Sequence, residues 1–197
     1  MNEFLAAFAI FFAAVFTNNI LLTNYLGMCS FLAVSREIKT SWGLGLAVTF
    51  VMTATSILNW LFYYYVLVPL DMVYLQTIVF IIVIAAFVQI VEMIIERVSD
   101  TLYASLGIFL PLITVNCAIL GASLFMIIRE YTFIKAIAYG FGSGVGWALA
   151  ILVMAGIRTK MAKAKVPKPL EGAGITLIIA GIMALAFIGL TGMIKIN

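Results

Sequence analysis

Charge is confined to short clusters along this chain, and the long uncharged stretches between them dictate what it can fold into. No charged residue lies between Glu3 and Arg36, Lys39 and Asp71, Asp71 and Glu92, Asp100 and Arg129, Lys135 and Arg158, or Glu171 and Lys195. Each gap approaches or exceeds the ~20 residues that a helix needs to cross a bilayer. The pattern predicts an all-α membrane protein with six transmembrane helices near 4–34, 42–66, 74–95, 103–128, 133–157 and 173–194, in a single membrane domain over 1–197. Composition agrees: 65% of residues are hydrophobic and 10% charged, against ~45–50% and ~25% in soluble domains. The stretch Met1 to Ala14 lacks a basic start and its apolar run continues too far for a signal peptide, so it reads as part of the first span, retained.

Several chemistries are excluded. The chain has no histidine, which removes His-ligated haem, Rieske-type clusters, Cys/His zinc sites and imidazole acid–base catalysis. Serine nucleophiles lack a plausible base. The loops are too short for a nucleotide-binding domain, so any soluble substrate is handled by a partner.

Lysine and arginine set the orientation. Arg36 and Lys39, then Arg97, then Arg158, Lys160, Lys163, Lys165 and Lys168 fall in the odd-numbered loops, while the opposite side carries Arg129, Lys135 and Lys195. The positive-inside rule places the odd loops in the cytoplasm and both termini on the outer side. The Arg158–Lys168 stretch reads as a topology signal facing anionic lipid in preference to a docking patch for an acidic partner.

Two of the spans are interrupted. The first holds Thr17, Asn18, Asn19, Thr23 and Asn24, followed by Gly27, and the fourth holds Pro111 and Asn116. They occupy the same position in each three-span half, about 1–100 and 101–197. An odd number of spans per half inverts the second half relative to the first, as in transporters built from inverted repeats with discontinuous helices. Glycines in the second span (Gly43, Gly45) and fifth span (Gly140, Gly142, Gly144, Gly146) allow close helix approach.

The chain has two cysteines, one beside each interruption: Cys29 and Cys117. An isolated cysteine in an apolar helix is usually a small hydrophobe. Equivalent placement at two helix breaks argues for more, because halves packed about an axis in the membrane plane bring the two together near midplane. A buried thiol pair there is suited to metal. Two thiolates do not complete an iron–sulfur site, so a partner chain has to supply the rest. Other polar groups within the spans are candidates for an ion path. Glu92 lies inside an apolar stretch, one turn from Glu96 and Arg97, where it can equally reach water or pair with a base. Asn18, Asn19, Asn24 and Asn116 can line a cation route or satisfy backbone groups freed by the breaks, the second being the better reading.

The segments Tyr25-Leu26-Gly27-Met28-Cys29-Ser30-Phe31-Leu32-Ala33-Val34-Ser35 and Leu106-Gly107-Ile108-Phe109-Leu110-Pro111-Leu112-Ile113-Thr114-Val115-Asn116-Cys117-Ala118-Ile119-Leu120-Gly121 resemble the two signatures of the family formed by the Rnf A and Nqr E subunits. Further similar runs are Gln89-Ile90-Val91-Glu92-Met93, Tyr139-Gly140-Phe141-Gly142-Ser143-Gly144-Val145-Gly146 and Ala180-Gly181-Ile182-Met183-Ala184-Leu185-Ala186-Phe187. The resemblance covers nearly the whole chain. It implies a six-span subunit of a Na+- or H+-translocating oxidoreductase of the bacterial inner membrane, acting as an NADH:quinone or ferredoxin:NAD oxidoreductase. It also implies a [2Fe–2S] cluster shared with a homologous six-span subunit of opposite orientation, with Cys29 and Cys117 at the ligand positions and two further cysteines from the partner. Flavins are expected only on other subunits. Met28, the Val115–Ile119 run, Leu124-Phe125-Met126 and Gly142–Trp147 lean toward the Nqr E form, while the short loop Val66–Leu75 and the Asn18-Asn19 pair lean toward Rnf; the balance falls narrowly on Nqr.

A centre at midplane would divide the ~30 Å hydrocarbon core into two electron hops of about half that length. Its buried negative charge is expected to favour cation binding nearby on reduction, coupling electron flow to ion movement. Two other classes compete: a secondary transporter, from the broken helices, and a structural membrane subunit with inert thiols.

Overall fold

In hydrocarbon every backbone N–H and C=O must find its partner within the protein, and a helix meets that demand locally. The computed structural model describes residues 2–98, 110–162, 167 and 172–189, and the regular structure among them is entirely helical. Helix α1 (Asn2–Phe12) runs on through a π-helical turn, Ala13–Thr17, and is followed by α2 (Ile20–Asn24) and α3 (Met28–Val34). Next come α4 (Ile38–Phe62), extended by a second π-helical turn, Tyr63–Leu67, and α5 (Gln76–Val98). The remaining helices are α6 (Leu110–Thr114), α7 (Cys117–Ile128), α8 (Phe133–Met161) and α9 (Ala173–Ile188).

Four segments are long and apolar enough to cross a membrane: Ile38–Leu67, Val73–Ile94, Pro111–Ile128 and Phe133–Met161. Glu3–Thr17 and Ala173–Ile188 are shorter apolar helices. At ~1.5 Å per residue the 16 residues of α9 rise about 24 Å, short of the ~30 Å core; residues 190–194 of the expected sixth span lie outside the described residues. The first expected span, 4–34, is not one helix but three pieces. In the fourth, the expected break at Pro111 is displaced. Pro111 sits inside α6, and the helix lapses at Val115 and Asn116.

The surface is the inverse of a soluble protein's, with Phe4, Phe50, Tyr74, Ile82, Ile182 and Leu185 all exposed. Inside, α8 is the spine, and its glycines explain why. Residues two apart on a helix lie about 200° apart, so Gly140 and Gly144 line one face and Gly142 and Gly146 the opposite one. A Cβ on Gly144 would fall 2.7 Å from Thr49 Cα, and one on Gly140 2.6 Å from Ser56 Oγ, so α4 presses directly on the first face. On the other face, Gly142 and Gly146 meet the Phe11 and Ala14 carbonyl oxygens at 2.8 and 2.9 Å. Small residues let backbones approach this closely. Gly144→Ala is therefore expected to lower the thermal unfolding midpoint in detergent by several degrees, since overpacking against backbone costs about 1–3 kcal/mol. Gly156→Ala and Gly181→Ala, where an added Cβ meets nothing within 4 Å, should be neutral or slightly stabilising. Equal midpoints for all three variants would refute the packing role.

Candidate metal centre

The path of the chain to Cys29 is set by side chains that replace lost helix bonds. The π-helical turn closes when the Asn18 N–H donates to the Ala13 carbonyl, 2.6 Å away. Asn19, fully buried, then restarts the helix: its Oδ1 accepts from the N–H groups of Leu21 (3.1 Å) and Leu22 (3.4 Å). Its Nδ2 donates to the carbonyls of Val15 (3.1 Å) and Gly146 (2.8 Å). An asparagine amide has two donors and two acceptor positions, and Asn19 uses all four on backbone groups. Helix α2 ends at Tyr25 in the left-handed region (φ 55), and Gly27, also left-handed (φ 83), turns the chain into α3, whose second residue is Cys29.

A similar device delivers Cys117. The Asn116 Oδ1 accepts from the Ala118 N–H at 3.0 Å, capping α7, and Cys117 is the first residue of that helix. The two breaks are joined. The Gly27 N–H donates to Cys117 Sγ at 2.9 Å, across 90 residues of sequence. Asn116 Nδ2 donates to Ser30 Oγ (3.3 Å), and Ser30 Oγ donates to the Gly27 carbonyl (3.1 Å). One corner of the molecule thus contains both cysteine-bearing loops.

Both cysteines are free and exposed on the chain, which corrects the expectation of a buried thiol pair. The physical reason is that Ser30, Asn116 and Ala118, all buried, take the inward positions at these helix starts and leave Cys29 and Cys117 facing out. Behind the loop stands Trp147, fully buried, whose indole Nε1 has no hydrogen-bond partner. It lies 2.6 Å from where a Gly27 Cβ would be. The donor set suits a soft, anionic metal–sulfur group: two thiols, a backbone N–H already directed at one sulfur, and an indole N–H with unused capacity in the wall. Among the described residues no three of His, Cys, Asp and Glu gather into a site, so the described part of the chain offers two ligands.

Of the other sequence candidates, Asn18 is half-buried at the end of the π-helical turn, and Asn24 is exposed, its Nδ2 donating to Thr23 Oγ1 at 3.4 Å. Glu92 is half-buried on α5, and no hydrogen bond among the described residues joins it to either break. Trp147 and Ser30 carry no local signal that marks them as site residues, because their role arises from contacts across the fold. Arg158 also has a structural role besides its charge. Its Nη1 donates to the Leu32 carbonyl (3.1 Å) and to Ser35 Oγ (2.8 Å), a cation at the C-terminal end of the Cys29 helix. Lys163, Lys165 and Lys168 lie outside the described residues.

A family model described as "Rnf-Nqr subunit, membrane protein" matches residues 7–194. The chain is 48% identical over 187 residues to the A subunit of the ion-translocating oxidoreductase complex of Proteus mirabilis (strain HI4320), covering 95% of this chain and 97% of that protein. It is 50% identical over 184 residues to the A subunit of the Na(+)-translocating ferredoxin:NAD(+) oxidoreductase complex of Acetobacterium woodii, covering 93% and 96%. It is also 50% identical over 196 residues to the E subunit of the Na(+)-translocating NADH-quinone reductase of Chlamydia trachomatis serovar L2, covering 93% and 80%. With its helices, its apolar surface and its paired cysteine loops, the chain belongs to the Rnf–Nqr family of membrane subunits.

Proposed function

We propose that this chain is an electron-transfer subunit of a Na+- or H+-translocating oxidoreductase of the Nqr/Rnf type. In this reading it spans the bacterial inner membrane six times, as two inverted three-helix halves with both termini outside. Cys29 and Cys117 hold one side of a [2Fe–2S] cluster, and a homologous subunit of opposite orientation provides two more thiolates. The observation that carries the reading is the pair of free, exposed thiols linked through the Gly27 N–H···Sγ bond. Exposed thiols on a membrane subunit are accessible to a second chain. The bound cluster supplies a one-electron centre. The Gly27 N–H lowers the cost of negative charge on the Cys117 sulfur, and Asn116 with Ser30 fixes the spacing of the two loops.

Relatives of both complexes match at similar identity. The share of each relative covered, 97% and 96% against 80%, supports the Rnf A form, against the narrow preference that motif detail gives to the Nqr E form. The donor is then reduced ferredoxin or NADH and the acceptor NAD or quinone, each bound on other, flavin-bearing subunits.

The test is iron and acid-labile sulfide in the purified complex, with EPR after reduction. An axial [2Fe–2S] signal from this pair of chains is expected; its absence from a fully assembled, active complex would overturn the proposal. The cluster midpoint should also rise in Na+ relative to choline, because a cation nearby stabilises the reduced, more negative form. An unchanged midpoint would sink the Na+-coupled version. A transporter would instead keep its activity with both cysteines changed to serine.

A further inference from the structure

Outside the cysteine corner, the least satisfied polar group in the interior is on α4. Asn59 is fully buried, its Nδ2 donates to Ser123 Oγ on α7 at 2.8 Å, and its Oδ1 has no hydrogen-bond partner. The amide orientation is not arbitrary. Ser123 directs its single hydrogen to the Ile119 carbonyl (3.1 Å), so it can only accept from Asn59, and reversing the amide would set two oxygens against each other. One turn earlier on the same face of α4, buried Ser56 gives its hydrogen to the Met52 carbonyl (2.7 Å). Gly140 of α8 abuts that hydroxyl, with a Cβ position 2.6 Å from Ser56 Oγ.

These oxygens share one property: their hydrogens are committed elsewhere and only lone pairs remain. A buried carbonyl without a partner is costly, most of all where lipid surrounds the protein. A water molecule would bring two donors but also needs a donor for its own oxygen, and none of the three groups has one left. A hard cation needs lone pairs alone. We propose that Asn59 Oδ1 is a ligand of a monovalent cation held where α4 meets α7 and α8, with Ser56 and Ser123 hydroxyl oxygens beside it. The proposal rests on the reading of the chain as an ion-translocating subunit. It adds a site apart from the cysteines, six residues along α7 from Cys117 and so about 9 Å up that helix.

The experiment uses the complete complex in liposomes with Na+ against choline. Asn59→Leu should raise the Na+ concentration for half-maximal turnover at least tenfold and abolish the stabilisation of thermal unfolding by Na+. Asn59→Asp, which adds a negative charge to the same oxygen position, should lower that concentration. The EPR signal of the cysteine centre should be present in both. Wild-type Na+ dependence in both variants would overturn the site while leaving the electron-transfer reading intact, as would equal destabilisation in Na+ and choline. Should Asn59→Leu fail to assemble, Asn59→Asp and Ser123→Ala give the same readings. A wild-type complex indifferent to Na+ in turnover and stability would overturn the site too, whereas absence of the EPR signal would count against the electron-transfer reading alone.

Discussion

Cys29→Ser and Cys117→Ser are each expected to erase the axial EPR signal and to slow electron transfer through the assembled complex by more than about 100-fold, a loss beyond the ~10–100-fold typical of outer-shell changes. Serine is nearly isosteric, and both side chains are exposed, so no core is emptied. What changes is the ligand. A thiol loses its proton near pH ~8.5 and binds soft metals as thiolate, whereas a serine hydroxyl stays protonated and hard. The Gly27 N–H can still donate to an oxygen at position 117, so the loop contact persists and the effect isolates ligation. The two cysteines act as one unit, and such effects are not additive; the double variant should be no slower than either single one. Retention of both signal and rate in either variant, with the protein in the membrane, would exclude ligation.

Gly27→Ala should be the most damaging change to the scaffold of the site. Its φ of 83 is left-handed, which costs an L-residue about 1–2 kcal/mol. The new methyl would also lie 2.6 Å from Trp147 Nε1, 3.0 Å from Asn116 Oδ1 and 3.1 Å from Ala118 Cβ. Neither the buried indole nor the capping asparagine is a free end that can swing away, so repacking adds about 1–3 kcal/mol. Relief requires the loop to move, and that movement breaks the Gly27 N–H···Sγ bond. Loss of most bound iron and a midpoint several degrees lower are expected. Gly172→Ala separates the two causes: φ there is 92, yet nothing lies within 4 Å, so it should show the backbone cost alone and keep its iron. If the two alanine variants behave alike, the clash with Trp147 has no part in the effect.

Much of this is legible in the chain itself. Charge-free stretches mark where helices run, because lipid excludes charge from them, and Asn19 and Asn116 mark where they break. The misplaced break shows the limit. Pro111 lacks an N–H wherever it sits, but the helix lapses at Asn116, whose side chain offers the next turn an alternative partner. Asn59 and Ser123, Arg158 and Leu32, and Trp147 and Gly27 are pairs far apart in sequence. Each residue alone reads as an ordinary polar, basic or aromatic side chain of a membrane helix, and only packing reveals what it meets.

The seven-residue helix that carries Cys29 has a consequence for the order in which the protein matures. Isolated helices shorter than ~12–15 residues are marginal on their own. The start of α3 is held through Gly27 by Cys117, and its end by Arg158, 126 residues beyond Leu32. During synthesis, then, Cys29 emerges early but acquires its final geometry only after the penultimate helix has been made and docked. A nascent chain therefore carries a thiol with no formed site around it. Metal loading becomes a late event, timed by completion of the fold.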